Sequence, residues 1–81
     1  MFIEKDDKLQ AELKFKDFQE AFAFMTEVAI CAERADHHPW WSNVYDTVEI
    51  HLNTHDAGNV VTQKDRDLAG EIEKLYQKYK K

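Results

Sequence analysis

Three of the four histidines stand where regular structure is interrupted. His37 and His38 are followed at once by Pro39, and His55 lies between Thr54 and Asp56, three residues before Gly58. Imidazole is the side chain whose ordinary titration range brackets neutrality, so histidines held at joints suit proton transfer. The same residues also suit a solvated loop without a role, and spacing alone leaves both readings open. A metal site is a third reading, since His37, His38 and His55 with Glu33 or Asp56 would supply three or four ligands. Adjacent side chains diverge, however, and neither C-x-x-C nor H-E-x-x-H occurs, so the spacing argues against a structural zinc. Cys31 falls in mid-helix beside an apolar strip, where a thiol is a small packing group rather than a nucleophile.

The elements that must position these residues can be read from periodicity. Leu9, Ala11, Leu13 and Phe15 alternate with polar neighbours, which predicts a strand with one buried face. Phe2 to Glu4 can pair with it through a tight hairpin centred on Asp6 and Asp7. From Asp17 the period lengthens. Phe18, Phe22, Met25, Val28, Ala29 and Ala32 recur at three and four, an amphipathic helix capped by Asp17 with Glu20 and ending near Ala35 ahead of Pro39. Val44, Val48, Ile50 and Leu52 share one parity, which predicts a single long strand over Val44 to Leu52, with Asp46 interrupting its apolar face. After a loop from His55 to Asn59, Thr62 to Asp65 cap a second helix carrying Leu68, Ile72, Leu75, Tyr76 and Tyr79. Lys74, Lys78, Lys80 and Lys81 suit the negative end of its dipole. The order β-β-α-β-α predicts an α+β two-layer sandwich, a small antiparallel sheet with both helices on one face, as a single domain over residues 1–81. With one long strand between them, the His37-His38 joint and the His55 joint need not meet.

Composition narrows the function. A chain of 81 residues buries only about 60% of its unfolded surface, which disfavours a deep enclosed cofactor chamber. Eleven basic against sixteen acidic side chains give a net charge of −5, which argues against direct nucleic-acid binding. The single cysteine fits a reducing cytoplasm, and there is neither a basic-then-apolar leader nor an apolar run long enough for a membrane. The broad apolar helix face and the open edges of so small a sheet predict a homodimer or homotetramer.

The residues also carry a resemblance. Glu33, His37-His38-Pro39, Trp41, Asn43-Val44-Tyr45, Thr54-His55-Asp56, Gly58 and Thr62 to Asp65, in register with Phe15 to Phe18 and Ala21 to Met25, resemble the pterin-4a-carbinolamine dehydratase family. The resemblance covers nearly the whole chain from the second strand onward. It implies a hydro-lyase that removes water from 4a-hydroxytetrahydrobiopterin or a related 4a-hydroxytetrahydropterin, giving the quinonoid dihydropterin, with no metal and no organic cofactor. It implies a link to aromatic amino acid hydroxylases, phenylalanine hydroxylase above all. His37, His38 and His55 match the family's active-site histidines, with Pro39, Trp41, Thr54, Asp56 and Ala57 in the segments lining the pterin pocket. Glu33, one helical turn before His37, is expected to support that imidazole.

Two departures accompany the match. Trp40 stands where the family usually has a polar or acidic residue, and Phe2-Ile3 read as strand where relatives commonly begin with a helix, so the chain resembles either a short form lacking the N-terminal helix or a form given without its leading segment. Animal members of the family also act as dimerization cofactors of a homeodomain transcription factor, which makes a non-catalytic coactivator the alternative function.

Overall fold

A computed structural model describes residues 1–80. Strand β1 (Ile3–Lys5) turns into β2 (Lys8–Lys14) through Asp6 and Asp7, both at positive φ (54° and 60°). Two such residues match the right-handed twist of the flanking strands, and aspartate tolerates this conformation better than most side chains. Helix α1 (Phe18–Ala35) begins as predicted, with Asp17 Oδ1 accepting from the Glu20 amide at 2.9 Å. Glu20 reaches back to the Lys16 amide at 3.0 Å.

The end of α1 places the first histidine. Asp36 adopts the left-handed conformation (φ 51°) and its amide donates to Glu33 O at 3.1 Å, while the His37 amide donates to Ala32 O at 3.0 Å. This double closure satisfies the last carbonyls of the helix and fixes the backbone of His37 before any side-chain contact is counted.

The predicted long strand is corrected by the structure. Residues 44–52 contain a hairpin turn, and there are two strands, β3 (Trp40–Val44) and β4 (Thr47–Leu52), joined by Tyr45 and Asp46. All neighbouring strands are antiparallel, in the order β1-β2-β4-β3. The sheet thus has four strands rather than three, with the expected α+β layering intact. Parity misled because the two-residue turn pairs Val44 with Thr47, so odd residues of β3 share a face with even residues of β4. Val44, of the same parity as Val48, is accordingly 76% exposed on the opposite face. The turn also lacks a glycine. Tyr45 takes a positive φ of 51°, and the Asn43 side chain holds the corner, its Nδ2 donating to Tyr45 O (3.2 Å) and Thr47 O (2.9 Å).

One face of the sheet carries Leu9, Ala11, Leu13, Val48, Ile50 and Leu52, all buried under Phe24, Val28, Leu68 and Ile72 of the two helices. Helix α2 (Gln63–Gln77) has Thr62 as its N-cap, whose amide donates to Asp65 Oδ2 at 2.9 Å. At its far end Lys78 and Tyr79 both donate to Glu27 of α1, and Tyr79 also packs edge-on against Phe15 and Phe24. Burial first, and then the Glu27 carboxylate, push the Tyr79 hydroxyl up to about 12, so it remains a donor at any ordinary pH. Lys74 lies in the last turn of α2 as predicted, Lys78 and Lys80 lie past its end, and Lys81 lies outside the described residues.

Asp65 ties these elements together. Its side chain is fully buried, yet Oδ1 is 2.5 Å from His37 Nε2 and Oδ2 accepts from Thr54 Oγ1 at 2.7 Å as well as from the Thr62 amide. Burial pushes its carboxyl up, but the hydrogen bonds from His37, Thr62 and Thr54 and the attraction of His37 together hold it below the ordinary 3.8. A carboxyl lower in the folded than in the unfolded chain stabilises the fold fully above the unfolded value, and that contribution is lost as pH falls through the folded value.

Two variants probe these contacts through stability. Asp65→Ala is expected to cost about 3 kcal/mol at neutral pH, because three donors lose a buried acceptor. In urea titrations the gap to wild type should narrow as pH falls below the ordinary 3.8 and through the lower value of the folded carboxyl; a gap independent of pH would contradict this account. Asn43→Ala, which frees two turn carbonyls, is expected to cost about 1–2 kcal/mol by the same measurement.

Candidate functional site

The β3–β4 hairpin decides where the histidines meet. Chain leaving α1 at Ala35 passes through His37 and His38, runs out along β3, reverses at Tyr45-Asp46 and returns along β4. Trp40 pairs with His51 and Trp41 with Ile50, so the residues just before β3 lie beside those just after β4. A continuous strand would have left the two joints apart; the hairpin brings them to one end of the sheet.

There they wall a cleft of about 280 Å³. Asp36, His37 and His38 come from the end of α1, Asn53, Thr54, His55 and Asp56 from the end of β4, and Lys64 from the start of α2. Each wall is held by the local chain. Thr54 pairs with Val60 in a two-residue bridge, with its amide donating to Val60 O at 2.8 Å, and the Asn59 amide donates to Thr54 O at 3.1 Å. Between them His55–Ala57 form one turn of 3₁₀ helix that Gly58 ends at φ 92°. Only the small loop residues Gly58 and Asn59 carry the positive φ needed to close so short a return.

The three histidines have unlike surroundings. His37 is only 11% exposed at its side chain and its Nε2 faces the buried Asp65 carboxylate, which can only accept, so Nε2 carries a proton and Nδ1 is the free nitrogen. His55 is exposed and its Nδ1 lies 2.9 Å from Asn59 Oδ1; Nδ1 donates to that oxygen and Nε2 is left free. His38 is exposed, with Nε2 3.0 Å from Glu33 Oε1. Glu33 therefore supports His38, whereas the sequence placed it with His37. The shift has a plain cause: the left-handed residue Asp36 breaks the helical spacing that would have set Glu33 one turn from His37.

Of the remaining expected residues, Thr54 and Asp56 reach the cleft wall, Thr54 also joining Thr62 Oγ1 at 2.5 Å. Pro39, Trp41 and Ala57 are not on that wall. Trp41 packs half-buried against the core, on the covered face beside Ile50, and Trp40 lies on the open face with its ring centroid 4.6 Å from that of His51. His51 itself is held by Glu49 Oε2 at 2.8 Å, away from the cleft. Sequence reading did not single out Asp36, Asn53 and Lys64 on the cleft wall, or Asp65 behind it. Asp65 and Lys64 were legible only as members of a helix cap; the available signal is that a cap at the start of α2 must lie against whatever precedes it, here Thr54-His55. Among the described residues no three His, Cys, Asp or Glu side chains converge closely enough to hold a metal ion. None of the described helices is long and apolar enough to cross a membrane.

The arrangement offers a buried carboxylate behind one imidazole, a neutral amide behind another, and a single ammonium, Lys64, at the rim. It can give and take protons on a small polar ligand.

Comparisons with known proteins agree in kind. The family described as pterin 4 alpha carbinolamine dehydratase matches residues 2–75. A relative from Rhodopseudomonas palustris (strain HaA2), provisionally named a pterin-4-alpha-carbinolamine dehydratase, is 58% identical over 67 residues, 83% of this chain and 65% of the relative. One from Paraburkholderia xenovorans (strain LB400), with the same provisional name, is 56% identical over 85% of this chain and 71% of its own. The chain thus spans about two thirds of the length of these relatives. The crystal structure of a Brucella melitensis protein described as a transcriptional coactivator/pterin dehydratase superposes with a TM-score of 0.87 at 38% identity, covering 91% of this chain and 80% of that one. A pterin dehydratase-like protein identified as a RuBisCO assembly factor in the alpha-carboxysome shares the fold, with a TM-score of 0.74 at 21% identity, covering 93% and 86%. With the family pattern matched from the first strand almost to the end of α2, this chain belongs to the pterin 4 alpha carbinolamine dehydratase family.

Proposed function

We propose that this chain dehydrates a 4a-hydroxytetrahydropterin, such as 4a-hydroxytetrahydrobiopterin, to the quinonoid dihydropterin and water. The observation that carries the reading is the meeting of His37, His38 and His55 on one cleft with unlike partners behind them. In this reaction the C4a–O bond breaks, the departing hydroxyl takes a proton to leave as water, and a ring nitrogen gives one up as the new double bond forms. Two imidazoles in opposite protonation states serve both transfers, each contributing about 10²- to 10⁴-fold.

The partners suggest which is which. A positive charge on His37 is offset by Asp65 at 2.5 Å, so His37 is assigned as the acid, donating through Nδ1 to the leaving hydroxyl. His55 has only the neutral amide of Asn59 behind it, and its free Nε2 is assigned as the base that takes the ring-nitrogen proton. After turnover the two protons are redistributed through solvent, to which the open cleft gives access. His38, with Glu33, and Lys64 are assigned to binding and orienting the ring, with Thr54 and Asp56 completing the wall and Pro39, Trp41 and Ala57 in the segments flanking it. No metal or organic cofactor enters this scheme. The product would return to an aromatic amino acid hydroxylase, phenylalanine hydroxylase foremost.

A second reading concerns association. Phe18, Phe22 and Ile30 are about half exposed on the outward side of α1, with the Phe18 and Phe22 rings 5.8 Å apart, and the outer edge of β3 is unpaired. That surface supports a homodimer or homotetramer, and it is also where a coactivator partner would sit.

Dehydration of a synthetic 4a-hydroxytetrahydropterin tests the first reading. His37→Ala and His55→Ala are each expected to lower kcat by about 10²-fold or more, and near wild-type turnover in both would sink the assignment. For the second, Phe22→Glu is expected to lower the mass found by sedimentation equilibrium at micromolar protein; an unchanged mass would move the interface elsewhere.

A further inference from the structure

The uncovered face of the sheet holds a hollow that the proposed chemistry does not use. Ile3, Gln10, His51 and Trp40 are direct partners in one row across all four strands, on the face opposite the helices. Lys8 and Asn53 lie one place beyond the Leu9–Leu52 pair, two residues from Gln10 and His51 and so on the same face. Lys8, Trp40, His51 and Asn53 line a hollow of about 440 Å³, against about 280 Å³ for the histidine cleft, and Asn53 stands on the boundary between the two.

One wall is aromatic. The Trp40 indole lies against the His51 ring, with centroids 4.6 Å apart and planes inclined by 30°, yet Trp40 is 57% exposed, so much of the indole has no protein cover. His51 is held in place beside it by Glu49 Oε2 at 2.8 Å. The other wall is cationic. Lys8 is half-buried and directly opposite Lys5 across the β1–β2 pair, and among the described residues neither ammonium has a carboxylate partner. Like charges directly opposite one another destabilise a sheet, and an anion beside them offsets the repulsion. Asn53 Nδ2 is 3.5 Å from Asn59 O, a weak hydrogen bond that leaves the amide able to donate elsewhere.

We infer that this hollow is a second binding site, for a planar aromatic carboxylate whose ring packs on the Trp40 indole and whose carboxylate is held by Lys8 and Asn53. The ring gains from offset stacking, and the carboxylate from charge-assisted donors. Charge sets the direction in which the ligand lies. Glu12 and Glu49 are paired in the row on the far side of His51, so a carboxylate is repelled from that end and attracted to the Lys8 end. Lys8, Trp40 and His51 are not on the wall of the histidine cleft, so the site stands independently of the dehydratase reading.

Indole-3-carboxylate, titrated into the full chain and followed by amide and indole N–H shifts in NMR spectra, tests this. Saturable shifts are expected at Lys8, His51 and the Trp40 side chain, with a Kd on the order of 0.1–1 mM. Neutral indole-3-carboxamide and the non-aromatic cyclohexanecarboxylate are each expected to bind at least about fivefold more weakly. Lys8→Gln is expected to weaken binding about threefold to tenfold and Trp40→Ser about tenfold, while Lys8→Arg and Trp40→Phe restore most of it and show that the fold is intact. Binding in His55→Ala is expected to stay within about twofold of wild type. Shifts centred on His38 and His55 and lost in His55→Ala would place the ligand in the histidine cleft and overturn the second site. Equal affinity for the carboxamide, or no saturable shift up to about 10 mM ligand, would overturn it as well.

Discussion

The buried carboxylate of Asp65 is the constraint on which the site depends. A fully buried aspartate is tolerable only when donors surround it, and here the donors come from three separate stretches of chain: the imidazole after α1, the hydroxyl after β4 and the amide that starts α2. Because each must be in place for the carboxylate to be satisfied, the same interaction that makes burial tolerable also sets the relative positions of His37, Thr54 and the first turn of α2. His55, next in sequence to Thr54, is carried along. The cleft is a by-product of satisfying one charge.

Local closures then hold what Asp65 aligns. The left-handed Asp36 ends α1 and fixes the His37 backbone, and the Thr54–Val60 bridge folds the His55 loop back on itself. Both closures join residues close in sequence, so each forms at little cost in chain entropy. What must be formed over long range is the sheet, and its central pair, β2 with β4, carries most of the buried aliphatic side chains.

Much of this was legible in the sequence. The alternation of Leu9 to Phe15, the three-and-four spacing from Phe18 to Ala32 and the cap at Thr62 each encode an element through local chemistry, and the structure has all three. The β3–β4 hairpin was not legible, because Tyr45-Asp46 carries no glycine or asparagine and a two-residue turn inverts the face on which a given parity lies. That single omission hid the convergence of His37 and His38 with His55, which is a property of strand pairing rather than of spacing. The resemblance to a family supplied the grouping that periodicity could not. The role of Asp65 was hidden for a related reason, since a capping residue and a charge partner look alike until the neighbouring strand end is placed beside it. Glu33 shows the reverse error, in which a helical spacing was extended past the point where the helix stops.

The aromatic end of the molecule has a consequence of a different kind. Phe15, Phe24, Tyr76 and Tyr79 interlock at the opposite end of the sheet from the histidines, where Phe15 bonds to the Tyr45-Asp46 corner and Tyr79 is latched to Glu27. The domain thus has two poles, one polar and open, the other aromatic and closed, with the aliphatic sheet between them. Sequence drift at the closed pole changes how firmly the domain holds together without reshaping the cleft, and drift at the open pole changes what the cleft accepts without loosening the aromatic cluster. Asp65 is where the two properties join, since one carboxylate both holds the fold and aligns the cleft; the exposed residues around it, such as His55 and Asp56, are free to change what the cleft accepts on an unchanged frame.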